Sequence, residues 1–171
     1  MDFLTVHELL LREPNLLATL LKKSNWKRRY KNCYDVKVLE HGQNSFLGNS
    51  GKIIHIIEGK LLQQITNTKN DKDTINAIWT KDDCVFHNVF QPNNYEYIAI
   101  GDVTLEIYDA QTVLEEISKH PFFPDLLIDS MKRLEQNFFQ YSEMLTKNSD
   151  ERIIEIIHKL SQKKQRRILY S

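Results

Sequence analysis

The sequence predicts an α+β chain, an antiparallel β-sandwich or roll set between short N-terminal helices and a long helical C-terminal part. Three observations carry this. Apolar residues are spaced for helices up to residue 22 and again after residue 109, and the stretch between them runs at a period near two. That middle stretch is cut at about ten-residue intervals by turn-forming residues, with no long helix intervening. A length of 171 residues suits one domain with a small appendage and excludes a second complete catalytic domain. Five Gly, four Pro and 41% hydrophobic residues exclude collagen-like and low-complexity disordered chains. With 23 basic against 23 acidic side chains the molecule has no net field, so contact with nucleic acid or an anionic membrane would need a local patch.

Leu4, Leu9, Leu10, Leu16, Leu17, Leu20 and Leu21 sit at helical spacing and Pro14 divides them, which predicts two short helices within residues 2–22. From Trp26 to Tyr108 the strand signal takes over, in Val36-Lys37-Val38, Ile53-Ile54-His55-Ile56-Ile57 and Tyr97-Ile98-Ala99-Ile100. The separators are Gly42-Gln43-Asn44-Ser45, Glu58-Gly59, Asn67 to Asp73, Lys81-Asp82-Asp83, Pro92-Asn93-Asn94 and Gly101-Asp102, giving seven or eight short strands. Asp109 is placed to cap a helix over 110–119, and Pro124 falls in the first turn of the next. In that helix Leu127, Met131, Leu134, Phe138, Tyr141 and Leu145 recur at spacings of 4, 3, 4, 3 and 4, a heptad seam. So narrow a stripe favours a helix paired with its twin across a two-fold axis over one face packed on its own sheet, and these six residues are the predicted dimer interface. Asn148-Ser149 breaks the chain. Ser149 is the expected cap of a last helix that opens with Asp150 and Glu151 and carries Ile153, Ile156, Ile157 and Leu160 on one face.

The residues that could carry chemistry are sparse. Cys33 and Cys84 are isolated, without a CxxC, and Asp82 and Asp83 beside Cys84 would raise its pKa rather than activate it. No Gly-x-Ser-x-Gly and no Gly-rich phosphate loop occurs, so no catalytic residue is assigned and the chain is read as a non-enzyme without a cofactor. Of six histidines, His41, His55 and His87 are scattered among the strands, His7, His120 and His158 lie on or beside helices, and no His-x-His is present, so no metal site is assigned. Lys22, Lys23, Lys27, Arg28, Arg29 and Lys31, interleaved with Trp26 and Tyr30, have the composition of a nucleic-acid patch, but span a helix end and a strand and are read as two solvated faces. Lys163, Lys164, Arg166 and Arg167 form a second basic cluster that would carry no base readout alone. No apolar stretch reaches the ~18–20 residues of a bilayer span and Met1-Asp2 is not a basic leader, so a cytoplasmic protein without a membrane partner is expected.

The order of these elements, with four local motifs, resembles the sensor half of the Crp/Fnr family of bacterial transcription regulators. The matching pieces are Asp35-Val36-Lys37-Val38-Leu39-Glu40-His41-Gly42, Ile56-Ile57-Glu58-Gly59-Lys60-Leu61, Ile98-Ala99-Ile100-Gly101-Asp102-Val103-Thr104-Leu105, and the segment from Ser149 to Leu160. The resemblance covers about residues 25–162. Beside the N-terminal helices read over 1–24, it implies a cyclic-nucleotide-binding-like jelly-roll over 25–119, a dimerisation helix over 120–148, and over 149–171 a hinge and helix leading toward a winged helix-turn-helix. That DNA-binding domain is not among the 171 residues, so the implied protein is a homodimer that meets DNA only through a domain truncated or lost from this chain.

In cyclic-nucleotide-binding members a Gly-Glu turn holds the ribose hydroxyls, and an Arg-Ser or Arg-Thr about ten residues on clamps the phosphate. The aligned stretches here are Asp82 to Asn88 and Asn94 to Ala99. They put Phe86 where the Gly stands, His87 where the Glu stands and Glu96, with Tyr97 beside it, where the Arg stands. The resemblance therefore implies a degenerate pocket of Phe86, His87, Glu96 and Tyr97 that binds neither cAMP nor cGMP. A PrfA-like subgroup shares these absences, and the identity of any other small effector stays open. Two other classes share this pattern: a stand-alone dimeric interaction module with the same roll, and a cupin-like metalloprotein, which the scattered histidines disfavour.

Overall fold

The computed structural model describes residues 16–23, 27–28, 32–45, 47–67, 72–90 and 94–161. The first of the two predicted N-terminal helices, Trp26, Tyr30, Pro92 and the Lys163 to Arg167 cluster lie outside them. The described elements are α1 (Leu16–Leu21), β1 (Tyr34–Leu39), β2 (Lys52–Asn67), β3 (Lys72–Thr80), β4 (Cys84–His87), β5 (Tyr95–Asp109), α2 (Ala110–Ile117), α3 (Phe123–Thr146) and α4 (Ser149–Ser161). The chain divides into two compact units, up to Leu134 and from Glu135 onward, and α3 runs from one into the other.

All strand pairs are antiparallel, in the order β1-β5-β2-β3, with β4 also pairing β2. The fold class matches the sequence reading and the strand count does not. Five strands are described in place of seven or eight, because β2 and β5 are 16 and 15 residues long and run through two predicted turns. Glu58-Gly59 and Gly101-Asp102 are bends inside paired strands, where the β2–β5 register shifts on both sides of Glu58. Both glycines adopt positive φ, +90° and +75°, a conformation that turns a strand sharply without ending its ladder. A period-two pattern interrupted by glycine looks the same in sequence whether the chain reverses or bends.

The bent ladder has two apolar faces. Inside the roll Leu39, Ile54, Ile56, Leu61, Trp79, Val85, Tyr97, Ala99, Val103 and Leu105 form one core. On the outer face Ile53 and Tyr108 meet Leu17 and Leu21 of α1, Ala110, Val113 and Ile117 of α2, and Leu126 of α3. Ile53, Ile54, His55 and Ile56 are therefore all buried, which is why that stretch reads as a continuous apolar run instead of alternating. Full burial of a side chain such as Leu21 or Ile117 contributes about 1.5–3 kcal/mol, and this outer core fastens the helices to the roll.

The helix ends follow the expected chemistry with one change. Asp109 caps α2, its carboxylate accepting from Thr112 N at 3.0 Å and Thr112 Oγ1 at 2.9 Å, and these bonds hold its pKa below the usual carboxylate range. The cap of α4 is Asn148, one residue before the predicted Ser149. Its Oδ1 accepts from Glu151 N at 3.0 Å while the Glu151 carboxylate accepts from Asn148 N at 3.0 Å, a reciprocal capping box. Glu151 was legible as a first-turn acid, and its pairing three residues back identifies the cap.

Candidate functional site

The predicted pocket residues separate by strand alternation. Val85 and His87 of β4 and Tyr95, Tyr97 and Ala99 of β5 face the roll interior, so Phe86 and Glu96 lie on the opposite sides of their strands. His87 and Tyr97 meet: His87 Nδ1 is 3.3 Å from the Tyr97 hydroxyl and the rings stand edge to face at 5.5 Å. His87 Nε2 lies 3.0 Å from the Gly48 carbonyl oxygen and 3.2 Å from Asn88 Nδ2. Burial, with Tyr95 nearby, raises the Tyr97 pKa, so its hydroxyl stays a donor. Phe86 instead packs against the outer core with its ring 5.1 Å from Phe90, and Glu96 accepts from Gln64 Nε2 at 3.3 Å. The structure brings together two of the four predicted residues.

A second polar cluster, which the sequence analysis did not assemble, lies beneath the outer helices. Cross-strand register puts Cys84 of β4, His55 of β2 and Glu106 of β5 in one row on that face. Glu106 sits at its centre, accepting from the Tyr108 hydroxyl at 2.8 Å, from His55 Nδ1 at 3.1 Å and from Lys27 Nζ. Burial opposes the Glu106 charge, but Lys27, Tyr108 and His55 outweigh it and hold the carboxyl below its ordinary range. His55 is fully buried with no partner for Nε2 among the described residues, and burial outweighs Glu106 in lowering its pKa, so it stays neutral with its proton on Nδ1. Burial first and Asp83 second push the Cys84 thiol up, and an unionised thiol is no nucleophile. The signal available in sequence was His55 and Glu106 each standing alone inside an apolar strand. Lys27 and Lys22 of the basic run are engaged here too, Lys22 lying 2.5 Å from Asp82. Among the described residues no group of three His, Cys, Asp or Glu side chains could hold a metal ion, and no helix is long and apolar enough to cross a membrane.

Within the unit up to Leu134, the predicted seam residues Leu127, Met131 and Leu134 lie on the outward side of α3. Leu127, Met131, Leu134, Phe138 and Leu145 are 40 to 72% exposed, and Tyr141 is half-buried. The inward side of the first half is a different set. Leu126 enters the outer core, Asp129 Oδ2 accepts from Leu16 N at 2.7 Å and so caps the first turn of α1, and Arg133 Nη2 pairs with Asp83 Oδ1 at 2.7 Å. Over residues 126–134 the inward contacts are thus made by residues outside the heptad stripe.

A roll of this topology, followed by a short helix and a long helix with an uncovered apolar stripe, is the fold of the Crp/Fnr sensor domain. Among solved structures the chain is similar to a CooA mutant from Carboxydothermus hydrogenoformans, at 14% identity and a TM-score of 0.59 over 84% of this chain and 93% of that one. It is also similar to the CO-dependent transcription factor CooA in its imidazole-bound form, at 17% identity and a TM-score of 0.56 over 86% of this chain and 65% of that one. A cyclic nucleotide-binding domain containing protein from Listeria monocytogenes EGD-e matches at 16% identity and a TM-score of 0.59, over 82% of this chain and 66% of that one. The chain thus spans about two thirds of the last two. No family model and no curated protein sequence matches it.

Proposed function

We propose that this chain is the sensor and dimerisation half of a Crp/Fnr-type transcription regulator: a cytoplasmic homodimer joined through α3 that reaches DNA through a further domain. The exposed heptad stripe carries the reading. A helix whose first half buries Leu126 and Asp129, and which carries five large exposed apolar residues in heptad register, is suited to a two-fold helix pair. The neighbouring CooA is a transcription factor, which supports a regulatory rather than enzymatic role. The roll does not serve as a cAMP or cGMP receptor on this reading, because His87 and Tyr97, where the resemblance places the pocket, are buried and bonded to each other. Its effector, if it takes one, has a different chemistry.

Changing Leu134 and Phe138 together to Lys tests the proposal. Each side chain contributes roughly 1.5–3 kcal/mol when fully removed from water, so the double change removes several kcal/mol per protomer from association. Sedimentation velocity at tens of micromolar is expected to give a dimer for the wild type and a monomer with unaltered far-UV circular dichroism for the variant. A monomeric wild type, or a variant that stays dimeric, overturns the reading.

A further inference from the structure

We infer that Arg133 is a positioning residue that makes the setting of α3 depend on the packing inside the roll, through a cation–π contact with Trp79. The guanidinium carbon of Arg133 lies 5.3 Å from the centre of the Trp79 ring, within cation–π range, while Nη2 holds Asp83 Oδ1. Neither partner is a loose surface group. Asp83 is 6% exposed, and its Oδ2 accepts from Thr80 N at 2.7 Å and Thr80 Oγ1 at 3.1 Å. Its carbonyl accepts from the backbone N–H of the core residue Ile56 at 3.0 Å. The carboxylate thus divides, one oxygen tying the β3–β4 turn to itself and the other tying it to α3.

Trp79 reaches the other way. Its ring belongs to the roll core, and its Nε1 donates to Gln63 Oε1 at 2.7 Å. Gln63 is buried and stands directly opposite Tyr97 in the β2–β5 ladder, and Tyr97 bonds His87. Hydrogen bonds, one ladder pairing and the cation–π contact thus link His87 and Tyr97 through Gln63 and Trp79 to the half-buried Arg133. A guanidinium is suited to the last of these links, since a planar cation can stack on an indole face and bond a carboxylate in its own plane at once, which an ammonium cannot do. On α3, Arg133 is next to Leu134 and two residues from Met131, both on the outward stripe, so whatever shifts the Trp79 ring acts on the turn that presents them. The inference rests on the proposed sensor reading for its purpose, and its test does not use dimerisation.

Hydrogen exchange measured on the full chain decides it. Arg133→Met is expected to speed amide exchange within 126–134 roughly tenfold, the scale of losing one charge-assisted hydrogen bond. Gln63→Leu, which acts only inside the roll, is expected to speed the same amides when Arg133 is present and to add nothing in the Arg133→Met background. Equal acceleration by Gln63→Leu in both backgrounds, or none in either, overturns the inference. Should Gln63→Leu fail to fold, Trp79 emission in a Trp26→Phe background supplies the second measurement. Arg133→Met should shift it and Arg133→Lys should not restore the wild-type spectrum; an unshifted spectrum for Arg133→Met overturns the cation–π contact. Loss of the dimer with exchange coupling intact would refute the proposed dimer helix and leave this inference standing.

Discussion

Replacing Gly59 by alanine should cost markedly more stability than the same change at Gly101, although both occupy the corner where β2 and β5 bend. The two share a backbone demand, φ of +90° at Gly59 and +75° at Gly101, which costs an L-residue about 1–2 kcal/mol. They differ in what a new Cβ would meet. At Gly101 nothing lies within 4 Å, whereas at Gly59 the Cβ would stand 2.3 Å from the Asp102 carbonyl oxygen and 2.9 Å from both Cα and Cγ2 of Val103. Two of those atoms are backbone and Val103 is fully buried, so relief requires the paired strands to part at the corner. Overpacking of this kind adds typically about 1–3 kcal/mol, so Gly59→Ala should lose about 2–5 kcal/mol and Gly101→Ala about 1–2 kcal/mol. Urea unfolding followed by circular dichroism reads the difference as a midpoint about 1 M lower for Gly59→Ala at ordinary slopes. Equal midpoints for the two variants would refute the close approach of β2 and β5.

Three further outcomes follow from His55, the His87–Tyr97 pair and the Asp109 cap. His55 has its folded pKa below 6.5, so the unfolded chain binds the extra proton first: the stability it contributes is complete above about pH 6.5 and is lost as the pH falls toward the folded value, with Glu106 adding a second loss below its ordinary 4.5. The urea midpoint of wild type should accordingly begin to fall below pH 6.5, and His55→Leu should remove that upper limb; a limb that survives the substitution would assign it elsewhere. Calorimetric titration with cAMP or cGMP should give no binding up to about millimolar, where a site would contribute only ~4 kcal/mol, and micromolar binding would show that His87 and Tyr97 yield to a ligand. Asp109→Ala should lower stability by about 1 kcal/mol through loss of the α2 cap, without altering the sheet; a change of several kcal/mol would give Asp109 a role beyond the cap, to which Lys52 at 3.8 Å is the available partner.

Much of this protein is written in local pattern. The helical ends, the antiparallel class of the middle, the Asp109 cap and the seam from Leu127 to Leu145 each depend on residues within a few positions of one another, where periodicity and capping chemistry are decisive. The alternation that placed Tyr97 on one face of β5 also places Glu96 on the other, a distinction that depends on knowing which face is inside. Only the tertiary structure could settle that, and with it the pairing of His87 with Tyr97 across β4 and β5. The same holds for the bends at Gly59 and Gly101, since a positive φ serves a reversal and a bulge equally and the choice is made by the partner strand. His55, Glu106, Lys27 and Tyr108 lie up to 81 residues apart, and Asp83 and Arg133 lie 50 apart. Their meeting was set by strand register and helix docking, which no local spacing records, because buried polar groups find their partners in space and the chain order between them carries no energy of its own.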